Sequence, residues 1–290
     1  MKPMLSQADF IPRIPLDDWI ESFIDFVTTT FAGPFSVLQA IIGVFVNALE
    51  TALAAPPALV TVAIFVALAY FVADWKVALL TAVGLLFMIS LDLWDAAMLT
   101  LALVIASAVV ALVISIPIGI LAAQYRSVET AVRPVLDLMQ TMPAFVYLIP
   151  AILLFGLGNV PGLIATVIFA MPPAVRLTLL GIQQVPKETV EAAHAFGATR
   201  WQTLLKVELP QALPTIMAGV NQVIMLALSM VVIAALIGAG GLGTAVVTGL
   251  TQLDVGTGFV GGIGIVIIAI ILDRMTRNIG QNKRQSAAKG

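Results

Sequence analysis

Cysteine is absent from all 290 residues, and charged residues make up only 10% of the chain. The lack of cysteine excludes disulfides, thiolate metal sites and cysteine nucleophiles. Soluble domains carry about 25% charged residues. A chain that is 60% hydrophobic therefore has too little polar surface to cover a soluble fold. The composition predicts an all-α protein that crosses a membrane several times.

Other absences narrow the function. The net charge of −2 and the lack of a basic stripe argue against a nucleic-acid partner. No Gly-x-x-x-x-Gly-Lys-Ser/Thr loop is present, so we expect no ATP hydrolysis by this chain alone. The predicted spans hold no charged residue or histidine at mid-membrane and no converging catalytic pair, which disfavours ion-coupled carriers and membrane enzymes. The N-terminus has no pattern typical of a cleavable signal peptide.

Residues 1–55 are predicted to be an N-terminal tail followed by amphipathic helix. Trp19, Phe23 and Phe26 recur at helical spacing after Leu16. Residues 35–50 then place small and polar side chains four residues apart on one face: Gln39, Gly43 and Asn47. A charge-free centre with a polar face favours a helix that lies in the membrane interface. A true span is the alternative reading.

Residues 56–280 are predicted to form the transmembrane domain, and residues 281–290 a basic tail. Charge-poor runs divide the domain into seven expected spans, at about 57–73, 77–91, 96–125, 135–155, 161–181, 212–237 and 255–272. If the connections alternate in side, all but two of the fourteen lysines and arginines, Lys2 and Arg13, fall on one side. The positive-inside rule makes that side, with the C-terminus, cytoplasmic.

The longest polar stretch of the second half, residues 185–210, falls in a cytoplasmic connection. It is predicted to be two short helices. Gly197 suits a helix stop because glycine enters the left-handed region freely. Thr199 and Gln202 have the spacing of a capping box for the second helix. Pro210 is expected to end that helix or to begin the next one.

This stretch resembles the EAA motif of ABC importer permeases. The matching residues are Glu191, Ala192, Ala193, Gly197, Leu209 and Pro210, with Val207 where the motif has isoleucine. The resemblance implies that residues 185–210 dock on a separate ATPase chain and pass its motion to the spans. We expect Glu191 to lie near the positive N-terminal end of its helix and to accept hydrogen bonds there.

A finer resemblance covers about residues 90–275. The segments 140–150, 155–162, 170–178, 218–222 and 237–243 are similar to permeases of quaternary-amine importers, which take up glycine betaine, proline betaine or choline. This resemblance implies a type I ABC importer fold in a bacterial inner membrane and a role in osmoprotection. The implied partners are a second copy of the chain, two ATPase chains and an external substrate-binding protein. ATP and Mg²⁺ would be used by the ATPase, with no cofactor in this chain. Because the sequence stops at Gly290, we expect no binding domain fused after the last span.

The sequence does not identify the residues that contact the substrate. An ABC permease for another small solute and a stand-alone secondary carrier are the competing functions. Gly258 and Gly262 form a GxxxG pattern, which predicts close helix packing within the chain or between two copies.

Overall fold

A computed structural model describes residues 15–287, with side chains given for residues 15 and 18–277. The predicted tail before Pro15 and residues 288–290 lie outside this part. Within it the chain forms thirteen α-helices and no strand, which confirms the all-α fold class. The first seven helices are α1 Leu16–Thr30, α2 Ala32–Ala54, α3 Ala58–Val72, α4 Trp75–Ser90, α5 Trp94–Gln124, α6 Arg126–Thr141 and α7 Leu148–Phe155. The remaining six are α8 Asn159–Gln183, α9 Lys187–Ala195, α10 Arg200–Thr203, α11 Leu209–Ala234, α12 Leu242–Thr251 and α13 Val255–Ala287. The last of these runs across the predicted boundary between residues 280 and 281.

Helices α5, α8 and α11 form the centre of the bundle. Their contacts are lined by small side chains, so the backbones approach closely. A Cβ added to Gly219 of α11 would lie 3.2 Å from Leu177 of α8, and one added to Gly119 of α5 would lie 2.6 Å from Thr178. This close-packed frame carries residues 185–210 at the end where α8 finishes and α11 begins.

Judged by helix length and hydropathy, the structure has fewer membrane-spanning helices than the seven predicted. Five helical stretches within residues 15–287 are long and apolar enough to cross a bilayer, or six if one bent pair counts as a single span. Helices α3 and α4 have 15 and 16 residues. They reach only about 22 and 24 Å, against a hydrocarbon core of about 30 Å.

The predicted span at 135–155 is not one helix. Helices α6 and α7 meet at an angle of 111°. The bend follows from Pro143, which disfavours the helical region for the residue before it. Met142 accordingly takes ψ 132. Helix α6 is therefore a separate amphipathic segment that packs against α5 and α8, and only residues 144–155 continue as apolar helix.

The connection expected over residues 238–256 contains a further helix, α12. It folds back against α13 in a tight hairpin. Gly258 packs against Gly249 of α12, where an added Cβ at Gly249 would lie only 2.4 Å from the Gly258 backbone. Gly262 has nothing within 4 Å of an added Cβ. The first glycine of the GxxxG pattern thus serves packing within the chain.

Helix α2 contacts one end of the bundle through both of its halves. The Gln39 side-chain amide donates to the Phe155 carbonyl at 3.2 Å, just before α8 begins. Near the other end of α2, the Leu53 carbonyl accepts from the Thr61 hydroxyl at 3.3 Å, where α3 begins. Helices α3, α5 and α8 all begin at this end. This geometry favours an interfacial helix, although the 23 residues of α2 are long enough to cross.

Candidate functional site

Residues 185–210 join α8 to α11 and carry the predicted site. Helix α9 has no buried residue, so it projects from the bundle. Helix α10 is anchored by its last residue, Thr203, and by Leu204 directly after it, both 2% exposed. Leu204 belongs to a small apolar cluster with Ile182 of α8 and Ala212 of α11. One helix of the pair is thus free for a partner, and the other is fixed to the bundle.

The turn between α9 and α10 depends on Gly197. Its φ of +81° lies in the left-handed region. The Ala198 amide donates to the Ala193 carbonyl at 3.0 Å, and the Gly197 amide donates to the His194 carbonyl at 2.9 Å. These two bonds make a Schellman motif, which satisfies the last carbonyls of α9. The predicted helix stop at Gly197 is confirmed.

The start of α10 is held by the predicted capping box. The Thr199 amide donates to the Gln202 side-chain oxygen at 2.8 Å, and the Gln202 amide donates to the Thr199 hydroxyl at 3.4 Å. Two backbone N–H groups that would otherwise lack partners are satisfied in this way. The turn therefore fixes the angle between α9 and α10 from both sides.

Pro210 lies in the first turn of α11, so it begins the next helix as predicted, but it does not separate that helix from the preceding one. Residues 200–237 run on as one continuous helical stretch. A π-helical turn at Leu204–Glu208 precedes the proline, and the Leu209 amide donates to the Leu204 carbonyl. An inserted wide turn re-spaces the carbonyls that a proline ring would otherwise meet. Leu209 and Pro210 therefore open α11 inside a continuous helix.

Glu191 lies at the middle of α9, not near its N-terminal end as expected. Its carboxylate is exposed and has no hydrogen-bond partner among the residues that the structure describes. Ala192 is also exposed, and Ala193 is half-buried. A carboxylate beside a small, exposed alanine leaves room for a partner's backbone and donors to approach.

Three large apolar side chains near the turn were not singled out from the sequence. Phe196 is 93% exposed, Trp201 65% and Leu205 59%. Phe196 directly precedes Gly197 at the end of α9, Trp201 lies on α10 and Leu205 lies in the π-helical turn. Large exposed aromatic and aliphatic groups are enriched at protein interaction sites.

A polar cluster joins this segment to the end of α5. Arg200 Nε donates to Gln124 Oε1 at 2.9 Å, and Arg200 also donates to the Gln124 backbone carbonyl. Gln124 Nε2 donates to Glu208 Oε2 at 2.8 Å. The Arg200 guanidinium lies 4.8 Å from the centre of the Tyr125 ring. Residues 124 and 200 lie 76 positions apart, so no local sequence pattern indicates this cluster.

No group of three metal-ligating side chains occurs in the part of the chain that the structure describes. Residues 185–210 thus form a projecting helix, a fixed turn and a continuous helix into the bundle.

Comparison with known proteins identifies the family in which this arrangement occurs. The model of the family described as "Binding-protein-dependent transport system inner membrane component" matches residues 115–285, more than half of the chain. This chain belongs to that family. The match includes α8, the segment 185–210 and α11, so the projecting turn is part of the family's shared region.

Relatives in the family match over almost the whole chain. The glycine betaine transport system permease protein OpuAB of Bacillus subtilis is 52% identical over 95% of this chain and 98% of its own length. The glycine betaine/proline betaine permease ProW of Escherichia coli is 48% identical over 93% of this chain and 77% of its own length. A chain of the inward-facing MetNI methionine ABC transporter matches with a TM-score of 0.58 at 21% identity, over 66% of this chain and 95% of that one. This last likeness shows the fold, that of an ABC importer permease.

Proposed function

We propose that this chain is the permease subunit of an ATP-driven importer for a quaternary amine such as glycine betaine or proline betaine. The observation that carries the proposal is the 52% identity to a glycine betaine permease over 95% of the chain. Glycine betaine, proline betaine and choline share a quaternary ammonium group, so one pathway of similar width suits all three. Uptake of such solutes serves osmoprotection.

The chain works in the cytoplasmic membrane of a bacterium as a multi-pass protein. The distribution of basic residues supports a cytoplasmic position for residues 185–210 and the C-terminus. The end where α3, α5 and α8 begin then faces outward, with α2 across it. Solute arrives at that outer end, opposite the projecting turn.

The partners follow from this placement. Two ATPase chains, which use ATP and Mg²⁺, dock on the projecting turns of two permease copies. Glu191, Ala192, Ala193 and Gly197 form the docking part. Leu209 and Pro210 pass the motion into α11. An external substrate-binding protein delivers the solute at the outer end.

The proposal can be tested by uptake in a bacterial strain that lacks its own quaternary-amine importers. The chain is expressed with its partner ATPase and binding protein, and uptake of radiolabelled glycine betaine is measured at high osmolarity. We expect saturable uptake that unlabelled proline betaine or choline competes for. Uptake of methionine or another unrelated solute, without uptake of any quaternary amine, would overturn the substrate class.

A further inference from the structure

A hydrogen-bonded cluster around Gln124 connects both ends of residues 200–208 to the C-terminal end of α5. Arg200 begins α10, and Glu208 ends the π-helical turn eight residues later. The Gln124 side chain accepts from the first at 2.9 Å and donates to the second at 2.8 Å. Gln124 is itself the last residue of α5. A single side chain thus spans the π-helical turn from the cytoplasmic end of α5.

Arg200 also contacts the backbone of α5. The last carbonyls of a helix lack intrahelical partners and carry partial negative charge. The guanidinium donates to the Gln124 carbonyl and lies over the Tyr125 ring, which follows α5 directly. An arginine with its planar fork can make both contacts at once, whereas lysine cannot. The geometry is that of a C-terminal cap supplied by a distant segment.

Apolar contacts reinforce the same junction. Leu204, at the start of the π-helical turn, packs with Ile116 and Ile120 of α5 in one cluster. Turns of this kind are rare inside α-helices and occur often at functional positions. Here the turn replaces the regular α-helical hydrogen-bond ladder just before Pro210, so it deforms more readily than a regular α-helical turn. The Gln124 cluster holds its two ends at a set separation.

We propose that Arg200 and Gln124 are positioning residues that make α5 move together with α11 when the ATPase displaces the projecting turn. Without them the polar link between α5 and residues 200–208 is lost, the apolar contacts of Leu204 alone join that segment to α5, and the π-helical turn absorbs part of the motion. This inference rests on the proposed function. It predicts that breaking the cluster lowers the number of solutes imported per ATP hydrolysed.

The test uses the assembled importer, the chain with its ATPase and binding protein, in proteoliposomes. Glycine betaine uptake and phosphate release are measured in the same sample for wild type, Arg200→Ala and Gln124→Leu. We expect the uptake-to-ATP ratio to fall roughly two- to thirtyfold in both variants. The double variant R200A/Q124L should fall no further than the stronger single variant, since both changes break one cluster. Arg200→Lys should give an intermediate ratio because the charge remains and the fork is lost.

Arg133→Ala is the matched control. Arg133 is 63% exposed and pairs with Glu129 on its own helix, so its loss should leave the ratio unchanged. An unchanged ratio in Arg200→Ala, or an equal fall in Arg133→Ala, would overturn the inference. If Arg200→Ala fails to assemble with the ATPase, Gln124→Leu decides, because residue 124 lies on α5 and away from the projecting helix. Absence of any ATP-driven uptake by the wild-type complex would instead refute the proposed function, and this inference with it.

Discussion

Replacing Gly197 with alanine should separate the role of the turn from the stability of the bundle. An added Cβ at this position has nothing within 4 Å, so the substitution causes no clash. The cost arises from the φ of +81° alone. A left-handed conformation costs an L-residue roughly 1–2 kcal/mol. That free energy corresponds to about a 5- to 30-fold drop in the population of the native turn.

The loss should fall on docking, because no residue of α9 is buried and the turn sets the angle between α9 and α10. We expect Gly197→Ala to lower uptake of glycine betaine and retention of the ATPase during purification, with little change in thermal unfolding of the permease. Gly197→Asn should be milder, since asparagine tolerates this region better.

Gly262→Ala is the matched control, because this helical glycine also has open space around it. It should leave uptake and assembly unchanged. Full uptake and normal ATPase retention in Gly197→Ala would refute the reasoning that the left-handed turn positions the docking helix.

Three further predictions follow from other parts of the bundle. Asp273→Ala should destabilise the permease in detergent by about 1–3 kcal/mol, because Asp273 accepts from Asn221 of α11 at 3.2 Å; unchanged thermal unfolding would contradict this. Gly249→Ala should cost about 1–3 kcal/mol by overpacking against the Gly258 backbone, again measured by thermal unfolding. Hydrogen bonds from the Thr257 side chain and backbone hold the pKa of Asp254 below its usual range. Because the pKa of Asp254 is lower in the folded state, the ionised carboxylate and its hydrogen bonds to Thr257 stabilise the fold above the unfolded-state pKa of about 3.9. This stabilisation is lost as pH falls through the lower folded-state pKa. An unfolding titration from pH 7 downward should therefore show the contribution in wild type and not in Asp254→Ala.

Local signals in the sequence predicted the turn correctly. A glycine between two helical patterns and a Thr–Gln pair at capping spacing specify backbone geometry over a few residues, and both features are present as expected. The central spans were also predictable, because long charge-free runs have one stable form in lipid. Prediction and structure agree closely where the residues that determine a feature lie within a few positions of it.

The features that the sequence did not reveal are ones that the residue pattern leaves undecided or that depend on distant contacts. The bend at Pro143 and the continuation through Pro210 involve the same residue type with opposite outcomes. In the first case the preceding residue leaves the helical region, and in the second a π-helical turn accommodates the ring. The bond between Gln124 and Arg200 joins helices 76 residues apart, so only the fold brings them together.

ATP-dependent uptake by the purified components tests the central claim most directly. The permease, its ATPase and its binding protein are reconstituted in proteoliposomes, and accumulation of labelled glycine betaine is followed with and without ATP and Mg²⁺. Accumulation that requires ATP, the ATPase and the binding protein together is the predicted result. Accumulation by the permease alone under an ion gradient would contradict it and establish a secondary carrier instead.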